Sequence, residues 1–110
     1  MDYAPKKGEL VSLTFDPQTG HEQRGRRPAL VVSNDLFNRR TGLCIACPIT
    51  GTHRDYPFHV ALPEGLPVSG YVMVEQVTSI DFRARKVLRL GKAPRAVLEE
   101  TLSILDACLY

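Results

Sequence analysis

A chain of 110 residues, 44% hydrophobic and carrying a formal charge of +2, has the material for one modest core and not for two. That apolar content excludes wholesale disorder, and no apolar run approaches the roughly 18 residues of a membrane-spanning helix. The start, Met1-Asp2-Tyr3-Ala4-Pro5-Lys6-Lys7, lacks a secretory signal's apolar stretch and cleavage site, so the expectation is a single cytoplasmic domain over residues 1–110.

In chain order, Gly8 to Phe15 alternates, with Val11, Leu13 and Phe15 on one face and Ser12 and Thr14 on the other. That is a half-buried strand. Asp16 to Gly20 is turn chemistry and opens a polar loop that runs to Arg26. Pro28 to Ser33 is a continuous apolar run with β-branched residues, the pattern of a strand buried on both faces. Asn34 to Arg40 has room for one or two helical turns, and Leu43 to Thr50 is the third strand. His53-Arg54-Asp55 makes a turn. Phe58, Val60 and Leu62 alternate after it. Pro63 to Pro67 breaks the pattern ahead of a strand from Tyr71 to Val77, and a last strand covers Arg85 to Leu90.

Pro94 suits the first position of a helix. Beyond it Leu98, Leu102, Leu105 and Leu109 recur at helical spacing, opposite Glu99, Glu100, Ser103 and Asp106. That helix must cover apolar surface, the open end of the sheet. Five or six short strands with one terminal helix predict a mainly β fold with α, a small, strongly bent barrel.

Charge is distributed unevenly. Ten of the fourteen basic residues are arginine, and between Asp81 and Glu99 six basic residues follow one another with no acid among them. A second cluster gathers Arg24, Arg26, Arg27, Arg39 and Arg40. Because a guanidinium forks onto phosphate in a bidentate way that lysine cannot match, the two clusters together point to an anionic partner. Cys44 and Cys47 have the C-x-x-C spacing of a metal or redox pair, but on a strand residues three apart face opposite ways. They cannot share an ion, no second pair completes a tetrahedral site, and the odd total of three cysteines suits free thiols.

Two strand ends carry the chemistry. The loop Gly20-His21-Glu22-Gln23-Arg24-Gly25-Arg26-Arg27 feeds the buried second strand, and the third strand ends on Cys47-Pro48-Ile49-Thr50. Acid, base, cation and hydroxyl thus hang on the rim of a rigid core, a site for a phosphodiester. The segments Gly20-His21-Glu22-Gln23, Arg27-Pro28-Ala29, Asn38, Thr41-Gly42, Pro48-Ile49-Thr50, Glu75-Gln76-Val77 and Arg83-Ala84-Arg85 fall in the order of the MazF/PemK/Kid toxin endoribonucleases. The chain resembles that family over essentially its whole length. Each motif is short; their joint order and spacing are specific.

The resemblance implies an SH3-like barrel of the CcdB/PemK type, a homodimer, and metal-independent, cofactor-free cleavage of single-stranded RNA at a short sequence. It also implies a cognate antitoxin whose acidic disordered tail covers the RNA groove. Cleavage without a metal uses the RNA's own 2′-hydroxyl, so the protein must deprotonate it, stabilise the phosphorane and protonate the leaving 5′-oxygen. Arg27, held extended by Pro28, is the expected phosphate clamp, and Thr50 the expected hydroxyl donor. His21, Glu22 and Glu75 are the alternatives for the base. One branch of the family places an arginine and an aspartate where this chain has Met73 and Glu75, so that two-residue mechanism cannot transfer intact. Substrate contacts are expected from Gln23, Ser33, Asn38, Glu75, Gln76 and Arg85, since amides read the edges of unstacked bases and guanidinium planes stack on them. His53 and His59 read as solvated or structural. The competing expectation is a non-catalytic protein on the same barrel, either a CcdB-like gyrase poison or a silent RNA-binding module.

Overall fold

The computed structural model describes residues 3–14, 26–52 and 56–110. Among them the chain runs β1 (Glu9–Thr14), β2 (Arg26–Val31), α1 (Asp35–Thr41), β3 (Leu43–Thr50), β4 (His59–Ala61), β5 (Tyr71–Met73), a 3₁₀ turn (Val74–Gln76), β6 (Thr78–Asp81), β7 (Leu88–Lys92) and α2 (Arg95–Leu109). All strand pairings are antiparallel, in the order β4-β5-β3-β2-β1-β7, with β6 also on β3. The sheet is bent rather than closed. β3 makes the bend: its first half pairs with β6 (Leu43↔Asp81 to Ala46↔Thr78) and its last two residues pair with β5 (Ile49↔Val72, Thr50↔Tyr71).

Two cores lie on the two faces of the central strands. Leu10, Leu30, Cys47, Ile49, Val60 and Val72 form the first, covered by Val97, Leu98, Leu102 and Leu105 of α2. Val11, Leu13, Ala29, Val31, Cys44, Ala46, Ile80 and Phe82 form the second. The buried apolar run of β2 therefore serves both faces, as its pattern predicts. β1 differs from expectation. Leu10 and Val11 are both fully buried, so this strand is covered on each side and not half-exposed. Cys44 and Cys47 fall in opposite cores, as strand alternation requires, and burial pushes their thiols up to about 11 and about 12.

Helix α1 has a clean start and stop. The Asn34 side chain accepts from the Phe37 N–H, and Gly42 closes the C-terminus at φ 75°. The segment expected as one strand from Tyr71 to Val77 holds only the short β5 and then the 3₁₀ turn, and β6, which follows at Thr78, was not expected. The last strand begins at Leu88 rather than Arg85. The Asp81 carboxylate accepts from the N–H groups of Arg83 and Ala84, and Lys86 sits at φ 52°, so residues 82–86 turn before pairing resumes. No helix among the described residues is long and apolar enough to cross a membrane.

Candidate ribonuclease site

Strand register assembles the site. β2 and β3 pair through Val31↔Ala46, Leu30↔Cys47 and Ala29↔Pro48. That pairing ends at Ala29↔Pro48, two residues short of Arg27 on β2 and of Thr50 on β3. Arg27 pairs with Leu13 of β1, so its side chain leaves the sheet on the face of the second core, where Ala29 and Val31 also point. Thr50 pairs with Tyr71, and Met73 pairs with His59. Strand alternation then puts Arg27, Thr50, Met73 and His59 on one face at one end of the sheet.

A close approach of backbones fixes the end of β3. Gly70 adopts φ +124°, and a Cβ there would lie 2.2 Å from the Thr50 carbonyl oxygen. Only glycine lets β5 come in at that distance. The Thr50 Oγ1 accepts from the Thr52 N–H at 3.2 Å. The turn-capping role expected of a strand-end threonine is thus real, and it leaves the hydroxyl proton available for a phosphate oxygen. Thr50 opens onto a cavity of about 270 Å³ shared with Thr52, Tyr56, His59, Met73, Glu75 and Gln76. Arg27 is exposed and borders a different groove, with Ser12, Pro28, Pro67 and Leu90, that shares no lining residue with the Thr50 cavity.

Of the two expectations for His59, solvated or structural, the first is excluded by its burial. Its side chain is 4% exposed, and its Nε2 lies 3.0 Å from Oε2 of Glu75. The sequence signal for this pair was weak, since sixteen positions separate the partners and only the β4–β5 register joins them.

Other expected contacts lie elsewhere. Ser33 and Asn38 are buried: the Ser33 hydroxyl donates to Asn38 Oδ1, and Asn38 Nδ2 donates to the carbonyls of Pro5 (2.8 Å) and Ser33 (3.3 Å). Ile45 N–H donates to Ser33 Oγ at 2.8 Å. These two side chains lock α1 to the sheet at the end remote from Thr50, and as substrate contacts they are corrected. Arg85 donates to the Thr14 carbonyl at 3.0 Å, which ties the 82–86 turn to the end of β1. Arg26, from the basic cluster, is spent on Ser12 and the Lys86 carbonyl. His21, Glu22 and Gln23, with the turns at Asp16–Gly20 and at His53–Asp55, lie outside the described residues. Among the described residues no three His, Cys, Asp or Glu side chains gather as they would to hold a metal ion.

The bent sheet, its covering helix and a polar pocket at one strand end define the class: a small β-rich toxin-like domain with a surface site. Residues 6–109 match the sequence model of the PemK-like, MazF-like toxins of type II toxin–antitoxin systems, and the chain belongs to that family. It is 39% identical over 105 residues to the endoribonuclease toxin MazF of Escherichia coli K12, covering 96% of this chain and 90% of that one. It is 44% identical over 108 residues to ChpB, an endoribonuclease toxin of the same organism, covering 93% and 91%. Among solved structures, MazF of Deinococcus radiodurans superposes with a TM-score of 0.88 at 49% identity over 98% of each chain. A MazE–MazF complex from that organism gives 0.88 at 44% identity, covering 98% of this chain and 97% of that one.

Proposed function

We propose that this chain is a sequence-specific endoribonuclease, the toxin of a type II toxin–antitoxin pair, acting in the cytoplasm on single-stranded RNA. The observation that supports the reading most is the β2–β3 pairing up to Ala29↔Pro48, whose continuation would bring the exposed Arg27 guanidinium toward the strand-end hydroxyl of Thr50. The relatives named as endoribonuclease toxins and the solved MazE–MazF complexes support it, and support a cognate antitoxin as partner. An acidic tail on that antitoxin would meet the same arginines that meet RNA. The working form is a homodimer.

The reaction is an internal displacement. The ribose 2′-oxygen attacks the adjacent phosphorus, the bond to the 5′-oxygen breaks, and the products are a 2′,3′-cyclic phosphate and a 5′-hydroxyl. Arg27 stabilises the charge that develops on the non-bridging oxygens, and the Thr50 hydroxyl donates to one of them. The guanidinium, with nothing to accept a proton near neutrality, is not the base. That role falls to a carboxylate or imidazole: Glu75 from the 3₁₀ turn, or His21 or Glu22 from the sequence preceding β2. No metal or cofactor is needed, because the nucleophile is supplied by the substrate.

Incubation of the protein with mixed single-stranded RNA in excess EDTA tests the reading. Sequence-selective fragments with 5′-hydroxyl ends are expected. RNA left whole under those conditions overturns it.

A further inference from the structure

The pocket beside Thr50 contains a carboxylate, which no phosphate would choose as a neighbour. Glu75 is exposed over 28% of its side chain, and its Oε2 is held at 3.0 Å by Nε2 of the almost fully buried His59. A carboxylate only accepts hydrogen bonds, so the shared proton sits on Nε2. The other ring nitrogen, Nδ1, is buried with no partner among the described residues. Tyr56 meets the imidazole edge-on, its ring centroid 5.0 Å away at 64°. Held by Tyr56 and by β4, the imidazole fixes the carboxylate through one oxygen. The second oxygen takes no part in that bond.

The cavity's volume, about 270 Å³, falls below the roughly 300–1,000 Å³ of drug-sized ligand sites and suits one ring system. Its lining supplies an apolar wall (Met73), an amide (Gln76) and a hydroxyl (Thr50), with Glu75 the carboxylate among them. A fixed carboxylate repels phosphate, and it disfavours the edge of uridine, whose one N–H, at N3, lies between two carbonyl oxygens that face the same carboxylate. It favours an exocyclic amino group, as acidic side chains do when they accept from cytosine N4. Unstacked bases in single-stranded RNA present such edges to side chains.

Resting on the ribonuclease reading above, we propose that this pocket takes one unstacked base within a nucleotide of the cleaved bond, that Glu75 selects amino-bearing bases there over uridine, and that His59 is the positioning residue that makes Glu75 selective.

Sequencing of cut ends from a random single-stranded RNA pool tests the proposal. For the wild type, uridine is expected to be depleted on the order of tenfold against amino-bearing bases at one position flanking the cut. Glu75→Gln, which offers a donor as well as an acceptor, should reduce that depletion to near parity, and His59→Phe should do the same with the fold retained by circular dichroism. His59→Gln, which keeps an N–H in the place of Nε2, should restore the bias, an outcome that a merely space-filling histidine would not give. If Glu75→Gln cuts too slowly to sequence, the same ratio is read by binding. Arg27→Ala, with and without Glu75→Gln, is titrated with single-stranded hexamers carrying cytidine or uridine at that position. A wild type that cuts RNA with uridine equally frequent at both flanking positions overturns this inference and leaves the ribonuclease reading standing. So does a Glu75→Gln protein with unchanged selectivity. A wild type that leaves all RNA whole overturns both.

Discussion

The two ends of the central strands treat their polar side chains in opposite ways. At the end where β1 begins and β2 finishes, the buried side chains of Glu9, Ser33 and Asn38 are tied down. Glu9 receives the Tyr3 hydroxyl, the Lys6 N–H at 2.8 Å and Arg89 Nε at 2.7 Å, while Asn38 and Ser33 satisfy each other and three backbone groups. At the other end Arg27 is exposed, Thr50 keeps a hydroxyl proton to give, and Glu75 meets a single histidine. A buried polar group without partners costs folding energy, so networks that are complete serve the fold. Capacity left unused at a surface is capacity available to a ligand. Of two acids in the same chain, Glu9 is thereby structural, and Glu75 is the one proposed to meet a ligand.

Substitutions on each side sharpen this contrast. The largest effect is expected at Arg27. Arg27→Ala should lower the single-turnover cleavage rate by about 10²–10³, the usual cost of removing one donor to a developing oxyanion, with the melting temperature almost unchanged. Full activity in that variant would break the site assignment. Asn38→Ala should do the reverse. It orphans the Ser33 hydroxyl and the Pro5 carbonyl, so a loss of about 2–3 kcal/mol in urea unfolding is expected, or roughly 10 °C in melting temperature. Its cleavage rate, measured below that transition, should match the wild type. A selective loss of cleavage without loss of stability would return Asn38 to the substrate.

The smallest effect is electrostatic. Burial works to raise the Glu9 carboxyl, but hydrogen bonds from Tyr3, from the Lys6 N–H and from Arg89 outweigh it and hold the group below its ordinary value. A depressed folded pKa contributes stability above the unfolded value of about 4.3 and loses it as pH falls through the folded value. Glu9→Gln should therefore be less stable than the wild type at pH 7, and the gap in chemical denaturation should narrow steadily below about pH 4.3. A gap that stays constant with pH would show that the carboxylate's charge adds nothing.

Much of this molecule was open to reading along the chain, because alternation and apolar runs are local. The β3 strand was found at its observed bounds, the helical turns after Asn34 and the terminal helix were found, and the Cys44/Cys47 pair was correctly split by strand parity. Arg27 and Thr50 stood out as strand-end residues. What failed depended on neighbours in space. The Asp81 side chain makes the turn that delays β7, and the run from Tyr71 to Val77 stops being a strand after Met73, where a 3₁₀ turn leads into β6. Ser33 and Asn38 look like surface amide and hydroxyl until α1 folds back on β3 and buries them.

The order of residues alone determined that this chain makes a mainly β domain with a covering helix and arginine-rich rims, since side-chain period and charge are written locally. Only the tertiary structure decided which polar residues meet. Register across β3, β5 and β4 brings Thr50, Met73 and His59 to one cavity with Glu75, and a pairing energy summed over separate strands has no signature at any one position.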